Sequence, residues 1–280
     1  MIDIHRWLEE DIGWGDATSE AIVPPYQTCT ASISTKQAGV CAGLDAAIDI
    51  FTCTDRTLRF TRTTTDGAPI TIGQTIARIY GNTRSILRAE RLALNVLQRM
   101  SGIATQTKRY VDAVALHGTR IALTRKTTPG LRILERNAVR AGGGAVHRYG
   151  LCDAMLIKDN HIRAAGSIVD AIRLARAHAS HMMAVAVEVD TFEQLHAVLA
   201  HPEYRVDCIL LDNMDVDAVA QAVSLIKHKR QDCIVEVSGG ITLDNVSQYA
   251  AAGCDIVSIG ALTHSVRALD ISLDIEETDV

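Results

Sequence analysis

The sequence predicts an α/β protein: a mixed N-terminal part followed by an incomplete parallel βα-barrel of about six strands. Three observations carry this expectation. After Gly118, short apolar runs alternate with amphipathic helical patterns at a beat of roughly 20–35 residues, the rhythm of βα units. The runs are nearly continuous in apolar residues, which calls for burial on both faces, as in a parallel sheet covered by helices. About six such runs are too few for a standard eight-stranded barrel. An open doubly wound sheet is the second choice.

The opening stretch "MIDIHRWLEED" is acidic and amphipathic and lacks a positive region followed by an apolar one, so no secretory signal is expected. "TASISTKQAGVCAGL" (30–44) and "TIARIYGNT" (75–83) are β-branched, glycine-punctuated strand candidates, with "LDAAIDIF" (44–51) a short helix between them. From Ser85 a long helical pattern runs through "ILRAERLALNVLQRMSGIATQTKRYVDAVA". Gly102 is expected to break it and to mark the boundary between an N-terminal domain, 1–102, and a catalytic barrel domain, 103–280. The last residues are expected to pack back on the N-terminal domain. The barrel strands are "IALTR" (121–125), "AMLIK" (154–158), "AVAVEV" (184–189), "CILLD" (208–212), "CIVEVS" (233–238) and "DIVSIG" (255–260). Between them "LRILERNAVRAGG", "SIVDAIRLARAHA", "TFEQLHAVLAH", "DVDAVAQAVSLIKHK" and "TLDNVSQYAAAG" read as helices.

With 280 residues, 48% of them hydrophobic, the chain has material for one large or two modest domains. A net charge of −5 and only 4% aromatic residues give no sign of a nucleic-acid or acidic-membrane partner. No apolar run approaches the ~18 residues of a membrane span. The seven cysteines form no CxxC pair, which fits a reduced, cytoplasmic protein. His178 and His181 share a helix face without further ligands nearby and read as a solvated helix end rather than a zinc site.

The strand ends carry the chemistry. In order they are Arg125 with Lys126, Lys158, Glu188, Asp212, Glu236 with Ser238, and Ser258 before Gly260. In βα-barrels the active site lies at this carboxyl rim, so a whole set of polar strand ends points to one shared pocket rather than to strands merely meeting water. "GGGAVHRYG" (142–150) adds His147 and Arg148. The cations suit anions, while Glu188 and Asp212 suit Mg²⁺ or ribose hydroxyls. "SGGIT" (238–242) and "SIGAL" (258–262) follow adjacent strands and precede helices, so their backbone N–H groups and the helix N-termini are expected to cradle a phosphate.

Longer stretches stand out in order along the chain: "EDIGWGDAT" (10–18), "ERLALNVLQRMSGIAT" (90–105), "TRKTTPGLR" (124–132), "GGG" with "HRYGL", "LIKDNHI" (156–162), "VEVD" (187–190), "LLDNM" (210–214), "EVSGGIT" (236–242) and "GALTHSVRALDISL" (260–273). In these the chain resembles the quinolinate phosphoribosyltransferase family. The resemblance implies an N-terminal α/β sandwich with an incomplete βα-barrel, and transfer of phosphoribosyl from phosphoribosyl pyrophosphate to quinolinate with loss of CO₂. It implies Mg²⁺ held by Glu188 and Asp212, and a homodimer with shared sites. Quinolinate is then met by Arg125, His147, Arg148 and Lys158, with Arg91 from the partner subunit. Phosphoribosyl pyrophosphate is met by Lys126, Glu188, Asp212, Ser238, Gly239, Gly240, Ser258 and Gly260. Lys126, Lys158, Glu188 and Asp212 form the catalytic set. Two positions depart from the family pattern: Leu123 replaces an acidic residue and Val146 an asparagine. Three rivals stand beside this reading: a related pyrophosphorylase-like protein of molybdenum-transport operons with another acceptor, a Schiff-base lyase using Lys158, and a phosphosugar sensor without catalysis.

Overall fold

The computed structural model describes residues 3–279 and divides into two compact units. The first comprises the chain up to Lys108, residues 127–143, and the chain from Ala261 on. The second comprises residues 109–126 and 144–260.

In the first unit, α1 (Ile4–Ile12) and α2 (Ala17–Ile22) precede β1 (Thr28–Thr35), β2 (Gly39–Val40), α3 (Leu44–Thr54), β3 (Arg59–Arg62), β4 (Pro69–Ile70) and β5 (Thr75–Asn82). Strands β1, β3 and β5 share an antiparallel sheet with β12 (Ile271–Asp279), in the order β12-β1-β5-β3; β2 and β4 pair separately. Period-two alternation puts Cys29, Ala31 and Ile33 of β1 in the core, and Ala77 and Ile79 of β5 beside the exposed Arg78 and Tyr80. Helix α3 buries Leu44, Ala47, Ile50 and Phe51, one helical face. Its first N–H groups, on Gly43 and Leu44, donate to the two carboxylate oxygens of Asp66.

Helix α4 (Thr83–Ala113) runs unbroken through Gly102, against the expected break there. A glycine costs only ~1 kcal/mol in a helix interior, and this one is needed for close approach. A Cβ on Gly102 would lie 2.3 Å from the Arg267 carbonyl oxygen and 3.1 Å from the Ala268 Cα.

The second unit is built on a six-stranded sheet whose ladders are all parallel. Its strands are β6 (Arg120–Leu123), β7 (Met155–Ile157), β8 (Val185–Val189), β9 (Cys208–Asp212), β10 (Ile234–Ser238) and β11 (Ile256–Ile259). Helices α6 (Asp159–Ala165), α7 (Ile168–His178), α8 (Phe192–Ala200), α9 (Val216–Lys229) and α10 (Val246–Ala251) connect them; α5 (Arg132–Ala141) and α11 (Ala261–His264) belong to the first unit. The spatial order β6-β11-β10-β9-β8-β7 steps one strand at a time and brings the last beside the first. A doubly wound sheet would reverse direction partway, so this is the barrel order. One further parallel bridge, Ala122 to Ala145, adds to β6.

Both faces of this sheet hold buried residues, as expected, but they differ in polarity. Register pairs even with even: Leu156 with Ala186, Glu188 with Leu210, Asp212 with Ser238, Ser238 with Ser258. The odd-numbered residues, Ile157, Val187, Ile209, Leu211, Val235, Val237, Val257 and Ile259, are buried hydrophobics. The even-numbered set carries the polar groups. At the amino ends, two aspartates staple neighbouring strands. Asp207 accepts from the Val185 N–H at 2.8 Å and Asp255 from the Val235 N–H at 2.7 Å. Arg176 and Lys227 in turn donate to them.

Gly102→Ala should keep the fold but lower stability by about 1–3 kcal/mol, the usual cost of forcing extra volume into a packed contact. Urea titration measures it; an unchanged midpoint would mean that the 267–268 backbone gives way freely.

Candidate active site

The carboxyl ends of the parallel strands open into a cavity of about 310 Å³, within the range of small-molecule sites. Its lining sorts by charge. Arg125, Lys126, His147, Arg148 and Lys158 are the basic members, Glu188, Asp212 and Glu236 the acidic ones. Thr124, Ser238 and Ser258 add hydroxyls, Leu156 and Leu210 apolar surface. The strand alternation explains the set: Leu156, Lys158, Glu188, Leu210, Asp212, Glu236, Ser238 and Ser258 are all even-numbered and share one face.

On one side, Lys158 Nζ donates to Glu188 Oε2 at 2.6 Å. The Lys158 backbone is fixed by His161, whose Nδ1 accepts its N–H at 3.0 Å. That bond requires the ring proton on Nε2 and gives "KDNH" a structural reason: α6 starts directly after the pocket lysine. Asp212 accepts from the Asn213 side chain at 2.7 Å. Burial, and the Glu188 charge nearby, push its carboxyl above the ordinary range; Lys158 and Lys126 counter this. Asn213 has a left-handed φ of 54°, and its N–H donates to the Ser238 carbonyl. It leaves no room for a side chain at Gly239, where a Cβ would meet Asn213 Oδ1 at 2.2 Å.

On the other side the cations crowd. Burial and the Arg125 charge pull the Arg148 guanidinium below its usual value; Arg148 Nη1 donates to the Ala154 carbonyl at 2.9 Å. The Nε groups of both Arg125 and Arg148 are buried with no acceptor among the described residues. Orphaned donors on adjacent cations define a place for an anion. Burial, with Arg148 and Arg125, also lowers the His147 pKa, against the opposing pull of Glu236 and Asp153.

Of the residues expected at the site, nine line this cavity: Arg125, Lys126, His147, Arg148, Lys158, Glu188, Asp212, Ser238 and Ser258. Gly239, Gly240 and Gly260 follow the strands without lining it. Arg91 is exposed on α4 in the first unit and is not among the lining residues. The expected helix N-terminus at "SGGIT" is displaced. Helix α10 begins at Val246, because Asn245 closes a turn first: its side chain accepts from the Thr242 N–H and donates to the Gly240 carbonyl. Glu236 is the member to which the strand ends assigned no role; its two-residue spacing from Ser238 was the available signal. Lys158 Nζ is engaged by the Glu188 carboxylate rather than aimed free into the cavity as a Schiff-base nucleophile would be.

The chain just beyond Lys126 is anchored within the first unit. Glu135 is fully buried and accepts from Arg99 Nη2 at 2.7 Å and from the Thr128 N–H at 3.1 Å. Arg99 Nη2 also reaches Thr128 Oγ1 and the Thr263 carbonyl.

A parallel βα sheet with opposed charge sets at its carboxyl edge defines a barrel-type enzyme class acting on small anionic molecules. Residues 16–101 match the model of the quinolinate phosphoribosyl transferase N-terminal domain, and residues 103–274 that of the C-terminal domain. The nicotinate-nucleotide pyrophosphorylase (carboxylating) of Mycobacterium leprae is 44% identical over 277 residues, covering 97% of this chain and 95% of that protein. A probable nicotinate-nucleotide pyrophosphorylase (carboxylating) of Bacillus subtilis is 42% identical over 272 residues, covering 97% and 92%. The crystal structure of NadC from Streptococcus pyogenes superimposes with a TM-score of 0.91 at 39% identity, covering 98% of this chain and 96% of that one. The chain therefore belongs to the quinolinate phosphoribosyltransferase family.

Arg99→Ala should leave the buried Glu135 charge largely uncompensated and cost about 3–5 kcal/mol of stability. A denaturant midpoint close to that of the parent would show that water reaches Glu135 and the pair stabilises little.

Proposed function

We propose that the protein joins quinolinate to phosphoribosyl pyrophosphate, releasing CO₂ and pyrophosphate and giving nicotinate mononucleotide in NAD biosynthesis. The observation that carries this reading is the pair of orphaned arginine Nε groups beside an acidic cluster in one cavity, in a chain of this family. Quinolinate is a dicarboxylate, and Arg125, His147, Arg148 and Lys158 offer it charge-assisted hydrogen bonds. To bind it, Lys158 exchanges its Glu188 contact for a substrate carboxylate. Glu188 is then released toward the ribose, where Glu188 and Asp212 stabilise positive charge at C1 as pyrophosphate leaves. Lys126 meets the pyrophosphate, while Ser238 and Ser258, with the backbone at Gly239, Gly240 and Gly260, hold the 5′-phosphate. Once the ring nitrogen is bonded to C1 it is cationic and accepts the electron pair freed by loss of the adjacent carboxylate.

The donor set suits Mg²⁺ shared with substrate. Among the described residues no group of three or more His, Cys, Asp or Glu is placed to hold a metal alone. Glu188 and Asp212, close enough that one raises the other's pKa, supply two carboxylates, and Mg²⁺ commonly takes its remaining ligands from phosphates and water. When bound, the ion neutralises charge on the leaving pyrophosphate. A homodimer in which Arg91 of each subunit completes the other's quinolinate site accounts for a cation on α4 remote in sequence from every strand end. All seven cysteines are free, in keeping with a cytoplasmic enzyme. Among the described residues no helix is long and apolar enough to cross a membrane.

Arg125→Lys tests the assignment. It keeps the charge but loses the planar fork, so kcat/KM should fall roughly ten- to a hundredfold, about 1.4–2.8 kcal/mol of transition-state stabilisation. Thermal melting should not change. A variant that melts and turns over like the parent removes Arg125 from the site.

The shared site has its own test. Arg91→Ala and Lys158→Ala chains should each be nearly inactive, and mixing them should restore activity as subunits exchange, since a mixed dimer has one site with both lesions and one with neither. Verified exchange without recovery would contradict a site built from two subunits.

A further inference from the structure

Glu236 lines the pocket but has no part in the scheme above. It is 5% exposed on β10, between Leu210 and Ile256 in register. Among the described residues its Oε2 receives only the thiol of Cys208, at 3.9 Å. Its Oε1 has no hydrogen-bond partner among the described residues and lies 3.7 Å from His147 Nε2. A buried carboxylate oxygen without a donor is costly, and such an atom persists where a ligand or a proton completes it.

Among the charged groups acting on His147 are Glu236 from β10, Arg125 from the turn after β6, Arg148 beside it in sequence, and Asp153. The Cys208 thiol behind Glu236 is held neutral, its pKa raised by burial and by the Glu236 charge. In the free protein, burial together with Arg148 and Arg125 keeps the His147 pKa low, so the ring is neutral near pH 7. Two substrate carboxylates against Arg125 and Arg148 would cancel the charges that repel a proton. A protonated ring carries an N–H on both nitrogens, so Nε2 faces Glu236 with an N–H and a full positive charge, whichever tautomer the neutral ring held.

We infer that His147 and Glu236 form a proton-holding pair, loaded when the dicarboxylate enters and emptied onto the ring carbon that loses CO₂. The step balances. The bond from ring carbon to carboxylate breaks, its electron pair stays on carbon beside the cationic nitrogen, and CO₂ departs. The imidazolium proton bonds to that carbon, His147 returns neutral, and Glu236 stays ionised throughout. One proton is consumed per turnover, as replacement of a carboxylate by hydrogen requires. This rests on quinolinate being the substrate.

The probe is phthalate, which has the same two adjacent carboxylates on a ring that cannot react. Titrate it calorimetrically into the protein near neutral pH, in buffers differing in ionisation heat. The parent should take up roughly 0.5–1 proton per site on binding. Glu236→Gln keeps the shape but not the charge and should lose most of this uptake; His147→Gln should lose it as well, so the test survives if one variant fails to fold. Binding heats in the parent that do not depend on buffer would overturn the pair, as would full uptake in a folded Glu236→Gln protein. Assaying the parent with quinolinate and phosphoribosyl pyrophosphate separates the two failures. Turnover with buffer-independent heats sinks only the proton pair, whereas absence of turnover sinks the functional reading itself.

Discussion

The site depends on one geometric constraint: neighbouring parallel strands share a register that keeps residues of the same parity on the same face. From β7 to β11 this turns a one-dimensional pattern into a pocket. Odd positions supply Val187, Leu211, Val237 and Val257 to the buried face, where apolar burial stabilises the sheet. Even positions deliver Lys158, Glu188, Asp212, Glu236, Ser238 and Ser258 to one cavity. A single-residue slip in β8 would turn Glu188 to the apolar face and Val187 to the cavity, so register and site stand or fall together.

The two ends of the sheet use charge differently. At the amino ends, Asp207 and Asp255 are saturated: each takes a backbone N–H of the adjacent strand and a basic side chain from a helix. The N–H of Val185 and the Arg176 guanidinium outweigh burial and hold the Asp207 carboxyl below its usual range. At the carboxyl ends the polar groups are left incomplete. Arg125 and Arg148 retain buried donors without acceptors, and Glu236 a buried acceptor without a donor. The saturated end locks strands together; the unsaturated end is arranged for charges that arrive with a ligand.

How far this was legible in the sequence follows from what each signal measures. Strand ends were readable because a polar residue closing an apolar run has a physical reason to lie at the carboxyl edge, and nine of the expected residues share the cavity. The helix break at Gly102 failed because helix propensity is weak beside packing, and the close approach of the 267–268 backbone is invisible in local sequence. The start of α10 was misplaced because Asn245 uses its side chain to make a turn within an otherwise helical pattern. Strand β3, "RFTR", gave no signal: it is an edge strand with little buried surface and therefore no alternation. Glu236 was seen as a strand end, but its encounter with His147 joins elements far apart in the chain, which no spacing rule reports.

The central claim is that opposed charges in this cavity bring about phosphoribosyl transfer first and decarboxylation second. It is tested most directly with quinolinate labelled in its 2-carboxylate, incubated with the protein, Mg²⁺ and phosphoribosyl pyrophosphate. The account predicts labelled CO₂ and nicotinate mononucleotide in equal amounts, and no labelled CO₂ when phosphoribosyl pyrophosphate is left out, because the ring nitrogen accepts electrons only after it is bonded to ribose. Label released without phosphoribosyl pyrophosphate, or none released with it, would contradict the account.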